Sequence, residues 1–306
     1  MIYDIIYFVL GGLLLYYGAD YFILGSKTLA SKFKISPIII GITLVAFGTS
    51  LPELIVSIFA VFNNGAEGIV IGNVVGSNIA NIALVLSICA VIAPFTFKFI
   101  KINLDLYFLL FLNSLLIIFI FFGDLQFWEG IIFLILLLIY CKYLLLKEQK
   151  KDIDSEIGNK FQGLFLKIIF GILGLGFGAH LFILGAKGIA VVLGVPPLII
   201  GMSIVALGTS LPELAASIAA VKHGEIDFVI GNVLGSNIMN IAAVLGVTLL
   251  LSPVPVQFIN IKVHLFYMIS LTLLLIFLVK FKGAISKYYA IVLMIIYISF
   301  IYINFQ

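Results

Sequence analysis

The amino-acid sequence predicts an all-α polytopic membrane protein. Ten transmembrane helices are expected as two inverted five-helix repeats, with helices 2, 3, 7 and 8 broken at the membrane midplane. Three observations carry this expectation. Of the 306 residues, 63% are hydrophobic and 10% charged, with a mean hydropathy of +1.30, whereas roughly a quarter of a soluble domain is charged. The chain contains a duplication. Each copy holds an odd number of apolar stretches. A membrane β-barrel would alternate polar and apolar residues along short strands, and no such alternation is visible.

The apolar stretches fall near residues 2–24, 37–62, 68–94, 102–122 and 126–146, then 163–186, 196–221, 226–252, 261–280 and 284–304. Each is close to the roughly 20 residues that cross a hydrocarbon core. The first lacks a basic leader segment and a small-residue cleavage site, so it reads as a retained helix and not a signal peptide. One segment has the polarity of an aqueous loop: Lys147 to Lys160 carries Lys150, Lys151, Asp152, Asp154 and Glu156 among its charges. It is too short to fold alone. The expected organisation is therefore a first repeat at 1–146, a linker at 147–162 and a second repeat at 163–306.

The two halves match directly. Residues 18–57 align with 178–217 without a gap, at 22 of 40 positions identical, and 70–86 align with 229–245 at 14 of 17. Similarity at this level marks an internal repeat. Because five spans is an odd number, the second half must enter the membrane from the opposite side, as in many secondary transporters. Lysine supplies all the basic charge, since the chain has no Arg. Loops after odd-numbered spans hold Lys27, Lys32, Lys34, Lys98, Lys101, Lys147, Lys222, Lys280, Lys282 and Lys287, while those after even spans hold little beyond Lys187 and Lys262. The positive-inside bias puts the odd loops and the linker in the cytoplasm and both termini outside, in the cell membrane.

The chemistry concentrates in two duplicated motifs. Gly48-Thr49-Ser50-Leu51-Pro52-Glu53-Leu54 returns unchanged as Gly208-Thr209-Ser210-Leu211-Pro212-Glu213-Leu214. Pro52 has no N–H for the carbonyl of Gly48, so the helix should break there. An ionisable residue inside the membrane is costly and marks function by default. Freed carbonyls, hydroxyls and a carboxylate make a set of hard oxygen donors, which suits Ca²⁺ or Na⁺ and not the softer transition metals. The second motif runs from Gly72 to Asn81 and again from Gly231 to Asn240. Ser77 and Asn81, and likewise Ser236 and Asn240, stand four residues apart on one helix face. Gly72 and Gly76 allow a neighbouring helix to approach closely. Asn73, Asn78, Asn232 and Asn237 read as helix-packing residues.

Blander readings cover the rest. Cys89 and Cys141 have neither metal spacing nor a disulfide framework. His180 aligns with Asp20, so the duplication did not keep its chemistry. His223, His264 and Asp105 fall near span ends and are expected at the interface, and Trp128 fits the aromatic belt. The net charge of +3 is spread over loops and gives no reason to expect nucleic acid.

Paired GTSLPEL segments, each followed by a GNxxGSNI segment, resemble the two α-repeats of the Ca²⁺/cation antiporter superfamily, and most closely the prokaryotic Na⁺/Ca²⁺ exchangers. The resemblance covers nearly the whole chain. It implies a secondary active antiporter, not an enzyme, that needs no cofactor and has Ca²⁺, Na⁺ and the lipid bilayer as partners. It implies a central Ca²⁺ site from the carboxylates of Glu53 and Glu213 with the backbone carbonyls of Thr49 and Thr209. It implies flanking Na⁺ sites from Ala46, Ser50 and Ser77 and from Ala206, Ser210 and Ser236, with Asn81 and Asn240 facing the middle. Some members carry Asp where this chain has Asn240, which removes one titratable group here. The alternative on the same fold is a Ca²⁺/H⁺ antiporter, or one coupled to K⁺ or another divalent. A channel would more naturally assemble a symmetric pore from subunits, and an intramembrane enzyme would need a nucleophile with a base.

Overall fold

Lipid offers backbone amides no water, so membrane-spanning segments satisfy their own hydrogen bonds as helices. The computed structural model accordingly is helical nearly throughout the residues it describes, 1–62, 68–96, 99–147, 161–194 and 208–304. The first half contains α1 (Ile2–Lys32), α2 (Pro37–Thr49), α3 (Leu51–Phe62), α4 (Gly68–Ile92), α5 (Phe99–Phe122) and α6 (Phe127–Lys147). The second contains α7 (Phe161–Val192), α8 (Leu211–Lys222), α9 (Ile226–Leu251), α10 (Phe258–Phe277) and α11 (Lys287–Asn304). Among the described residues, seven helices are long and apolar enough to cross a membrane, or eight if the bent pair α2 and α3 forms one span. Most of the linker expected at 147–162, and the start of the expected seventh span, lie outside the described residues.

Burial sorts the helices into a centre and a periphery. In its most apolar window α9 is 89% buried and α4 72%, against 22% for α1 and for α6. Large apolar side chains such as Phe122, Trp128 and Phe177 are exposed on the outer helices, as a lipid-facing surface requires. The centre is interwoven between halves. Helix α9 packs along α2, α6 packs on the second part of α9, and α11 packs on the second part of α4.

Spans 3 and 8 were expected to be broken, and they are not. Both α4 and α9 run through, each with one π turn, at Asn81–Val85 and Asn240–Leu245. Neither contains a proline. In α4 a Cβ on Gly72 or Gly76, expected to admit a neighbouring helix, would meet no atom of the described residues within 4 Å, whereas in α9 the glycines serve packing. A Cβ on Gly231 would meet the Cα of Gly41 at 2.8 Å, so the two glycines let α9 and α2 approach backbone to backbone.

Equivalent elements of the halves meet each other. Helices α1 and α7 lie along one another with Gly18 against Gly174, Gly11 against Phe182 and Gly25 against Ile168. Residue numbers rise along one helix as they fall along the other, so these equivalent helices are antiparallel. Asn113 of α5 donates to Thr272 of α10 at 2.8 Å, and these positions too correspond in the duplication. At the helix ends, β1 (Phe95–Thr96) pairs antiparallel with β2 (Ala284–Ile285), and Leu125 forms an isolated antiparallel bridge with Val254. Phe95 corresponds to Val254, and Leu125 to Ile285. The same staple between halves has thus been made twice.

Asp105, expected at the interface, is instead buried and accepts a hydrogen bond of 2.7 Å from the hydroxyl of Tyr140 on α6. Its duplicate position holds His264, whose ring lies edge-on to Phe300. His180 is exposed on α7, and His223 lies 2.7 Å from the carboxylate of Asp20. Cys89 is buried and Cys141 half-buried, both as free thiols.

The α1–α7 contact gives a direct test. A Cβ on Gly18 would sit 2.8 Å from the carbonyl carbon of Gly174, whereas one on Gly12 would meet only the Phe182 ring at 3.9 Å. Overpacking costs about 1–3 kcal/mol. Gly18→Ala should therefore lower the melting temperature of the detergent-solubilised protein, and Gly12→Ala should leave it unchanged or raise it.

Candidate ion-binding site

The duplicated break is sharper than the sequence implies. Pro37 starts α2 at the first helical position, where its missing N–H costs nothing. The helix passes a π turn at Gly41–Val45 and stops at Thr49. Ser50 alone leaves the helical region, at φ −84° and ψ 3°, before α3 begins at Leu51. Its counterpart Ser210 has φ −85° and ψ 5°. This bridge region of backbone space is sparsely used and common at functional residues. Hydrogen bonds hold either side of the corner, from Ser50 N to Ala46 O at 3.0 Å and from Leu54 N to Ser50 O at 3.2 Å. The axes of α2 and α3 bend by 42°. The break is thus a corner at one residue, and it puts Glu53 and Glu213 in the first turn of α3 and of α8.

Both glutamates are fully buried, and a hydrogen-bonded cluster drawn from both halves surrounds them. Ser50 Oγ donates to Glu213 Oε1 at 3.2 Å, and Ser77 Oγ donates to Glu53 Oε1 at 3.5 Å. Ser77 in turn lies 3.5 Å from the hydroxyl of Thr209. Thr49 Oγ1 donates to Asn232 Oδ1 at 3.1 Å and lies 3.3 Å from the Ser236 hydroxyl. The hydroxyls of Thr49 and Thr209 therefore join the cluster, where the sequence had pointed to their carbonyls. Ser236 bonds to Thr49 and Asn232, one step from the carboxylates. The carbonyl of Ala46 accepts from Ser50 N and, at 3.3 Å, from Thr49 Oγ1. Ala206 lies outside the described residues.

Five buried oxygens of this cluster have no hydrogen-bond partner among the described residues: Glu53 Oε2, Glu213 Oε2, Asn81 Oδ1, Asn240 Oδ1 and Ser210 Oγ. Buried polar atoms are nearly always paired, because each orphan costs about 1–3 kcal/mol. All five belong to residues of the two motifs, and all are hard donors. No third acidic, His or Cys side chain joins them among the described residues. Two carboxylates with neutral oxygens fit an alkaline-earth or alkali cation and exclude a structural zinc site.

Around this cluster runs a layer of asparagines. Asn73 donates to Glu53 O and to Ser57 Oγ, both at 2.9 Å. Asn232 does the same to Glu213 O at 3.2 Å and Ser217 Oγ at 2.9 Å. The sequence reading gave no role to Ser57 and Ser217. The signal was present, since both copies place Ser one helical turn after Glu, on the same face. Gly48 explains how the outer helices reach the cluster: a Cβ there would meet Phe22 of α1 at 2.7 Å and Ile172 of α7 at 3.2 Å.

The fold defines a helical membrane protein built from two repeats that share one buried oxygen cluster. The family model described as sodium/calcium exchanger protein matches residues 3–146 and 163–306, and the chain belongs to this family. It is 32% identical over 340 residues to the sodium/calcium exchanger MaX1 of Methanosarcina acetivorans, covering 97% of each chain. It is 38% identical over 295 residues to an uncharacterized membrane protein of Methanocaldococcus jannaschii, covering 95% of each. A solved structure of the sodium-calcium exchanger NCX_Mj, soaked with 10 mM Na⁺ and zero Ca²⁺, superposes with a TM-score of 0.85 at 36% identity, covering 97% of each chain. Members of the family are membrane antiporters that use no cofactor, and Na⁺ and Ca²⁺ are the ions they exchange.

The asparagine layer carries its own prediction. Asn73→Ala removes two part-buried hydrogen bonds and leaves the Ser57 hydroxyl without its donor. It should destabilise the protein by about 1–3 kcal/mol, read as a lower melting temperature. Asn73→Ala combined with Ser57→Ala should lose less than the sum of the single losses.

Proposed function

We propose that this chain exchanges Na⁺ for Ca²⁺ by alternating access at one site shared by Glu53 and Glu213. The observation that carries this reading is the set of five unpartnered oxygens, which includes one oxygen from each glutamate. Two ionised glutamates supply a charge of −2, and one Ca²⁺ neutralises it. In a low-dielectric site an unbalanced charge costs several kcal/mol. Ca²⁺ and Na⁺ therefore compete for the carboxylates and bind in turn. The neutral donors Ser50, Ser77, Ser210 and Ser236, with the carbonyls of Ala46 and Ala206, provide flanking positions for Na⁺. This favours Na⁺ over H⁺ as the coupling ion, since a proton needs only the carboxylates.

Ten spans in two inverted repeats are the arrangement that the loop pairings support. The loop after the third span pairs with that after the ninth, and the loop after the fourth with that after the eighth. Odd loops meet odd loops and even loops meet even loops, as an alternating count demands. Lys27 and Lys101, at odd-numbered ends, pair at 2.7 Å with Glu225, which caps α9, and at 3.7 Å with Asp227 in its first turn, where the loop after the seventh span ends. We assign this lysine-rich face to the cytoplasm, which puts both termini outside. Helices α1 and α7, packed over the breaks through Gly48, are the elements that slide to open one side or the other.

Two measurements test the reading. Proteoliposomes loaded with Na⁺ and diluted into Na⁺-free buffer should take up radiolabelled Ca²⁺, and both Glu53→Gln and Glu213→Gln should abolish uptake. Uptake driven by a pH gradient and indifferent to Na⁺ would overturn Na⁺ coupling. The sliding step is tested at the α1–α8 contact, where Lys222 Nζ lies 2.8 Å from Tyr16 Oη. Bridging Tyr16→Cys to Lys222→Cys with a short bis-maleimide, in a background free of Cys89 and Cys141, should stop transport while Ca²⁺ still binds. Full transport after complete crosslinking would rule out movement of α1 against α8.

A further inference from the structure

Helices α4 and α9 meet through four asparagines whose bonds form a closed, reciprocal pattern. Asn78 Nδ2 donates to the backbone carbonyl of Asn237 at 3.2 Å, and Asn237 Nδ2 donates to that of Asn78 at 3.3 Å. With its amide nitrogen so engaged, each side chain turns its oxygen the other way. Asn78 Oδ1 accepts from Asn240 Nδ2 at 3.2 Å, and Asn237 Oδ1 accepts from Asn81 Nδ2 at 3.1 Å. All four residues are buried.

An asparagine can present either end of its amide to a neighbour, and only the oxygen end can bind a cation. The pattern removes that freedom. A backbone carbonyl only accepts, so it fixes the nitrogen of Asn78. Flipping Asn78 would set its oxygen against the Asn237 carbonyl and its nitrogen against the Asn240 nitrogen, losing two bonds at once. Asn240 must then point its own nitrogen at Asn78, and its Oδ1 is left buried and unpartnered. The same steps run from the Asn78 carbonyl through Asn237 to Asn81 Oδ1.

We infer that Asn78 and Asn237 are positioning residues for ion exchange, each making the Asn of the opposite repeat present oxygen to the cation. Neither touches the ion. The inference rests on the reading of Asn81 and Asn240 as ligands in the proposed function. Its distinguishing feature is that control runs diagonally, from Asn78 to Asn240 and from Asn237 to Asn81, and not along one helix.

Equilibrium Ca²⁺ binding to the purified full-length protein, by calorimetry in Na⁺-free buffer, tests it with double-variant cycles. Asn78→Ala should weaken binding about tenfold, the loss of one well-placed ligand to a charged group. Asn78→Ala with Asn240→Ala should bind no more weakly than Asn240→Ala alone. Asn78→Ala with Asn81→Ala should show the product of the two single effects. A structural role alone would give products in both pairs, and that result overturns the inference, as does unchanged binding in Asn78→Ala when Asn240→Ala is weakened. Unchanged binding in Asn240→Ala overturns the ligand assignment itself and this inference with it. Should Asn78→Ala fail to fold, Asn237→Ala with Asn81→Ala gives the mirror cycle and the same decision.

Discussion

Two buried carboxylates in the middle of a membrane protein set the terms for everything else in this chain. A carboxylate taken out of water must be paired, hydrogen-bonded or neutralised. Glu53 and Glu213 each receive one hydroxyl donor from the cluster, and the second oxygen of each has no partner among the described residues. The corners at Ser50 and Ser210 exist to bring the carboxylates inward. The asparagine layer holds those corners by the backbone at Glu53 and Glu213. The glycines at 48 and 231 let helices come close enough to shut out lipid and water. The unpartnered oxygens on both carboxylates are the feature that the proposed ion site rests on.

The duplication supplies the geometry, and the departures from it are informative. At the corners, Ser50 and Ser210, the halves agree to a few degrees of backbone angle. At the rim they do not. Asp20 gathers Lys222 at 3.2 Å and His223 at 2.7 Å, tying α1 to the end of α8. The duplicate of Asp20 is His180, exposed to the surroundings, and the duplicate of Lys222 is Phe62. Each such surface pair is worth about 1 kcal/mol or less, but together they fall on one face only.

Much of this was legible in the sequence. The helices follow from hydropathy, the pairing of Glu53 with Glu213 from the repeated motif, and the corner from Pro52. The π turns were not legible, because Asn81–Val85 and Asn240–Leu245 have the same apolar character as the α-helical residues around them. Nothing local distinguishes a ladder widened by one residue. The continuity of α9 is hidden for a related reason: glycines that weaken a solvated helix are harmless where neighbouring backbones fill the space, as Ile38, Gly41 and Ile42 do at Gly231 and Gly235. The burial of Asp105 is not legible locally, because its partner Tyr140 lies on another helix. Asn78 and Asn237 were identified as packing residues, which they are; the direction of their amides needed the facing helix to be seen.

The reciprocal contacts across the molecule have a consequence for how it is made. Asn78 finds Asn237, Asn113 finds Thr272, and Ser50 finds Glu213. In each case a polar group of the first half is completed by the second, and the asparagine pair does so in the isologous manner of a two-fold homodimer. During synthesis the first half emerges before its complement exists. It must wait in the bilayer with those groups unpaired, in a state that lipid penalises, until the second half arrives in the opposite orientation. Synthesis therefore has an interval in which these groups lack the partners they have in the finished fold, and that interval closes only when the second half has been translated.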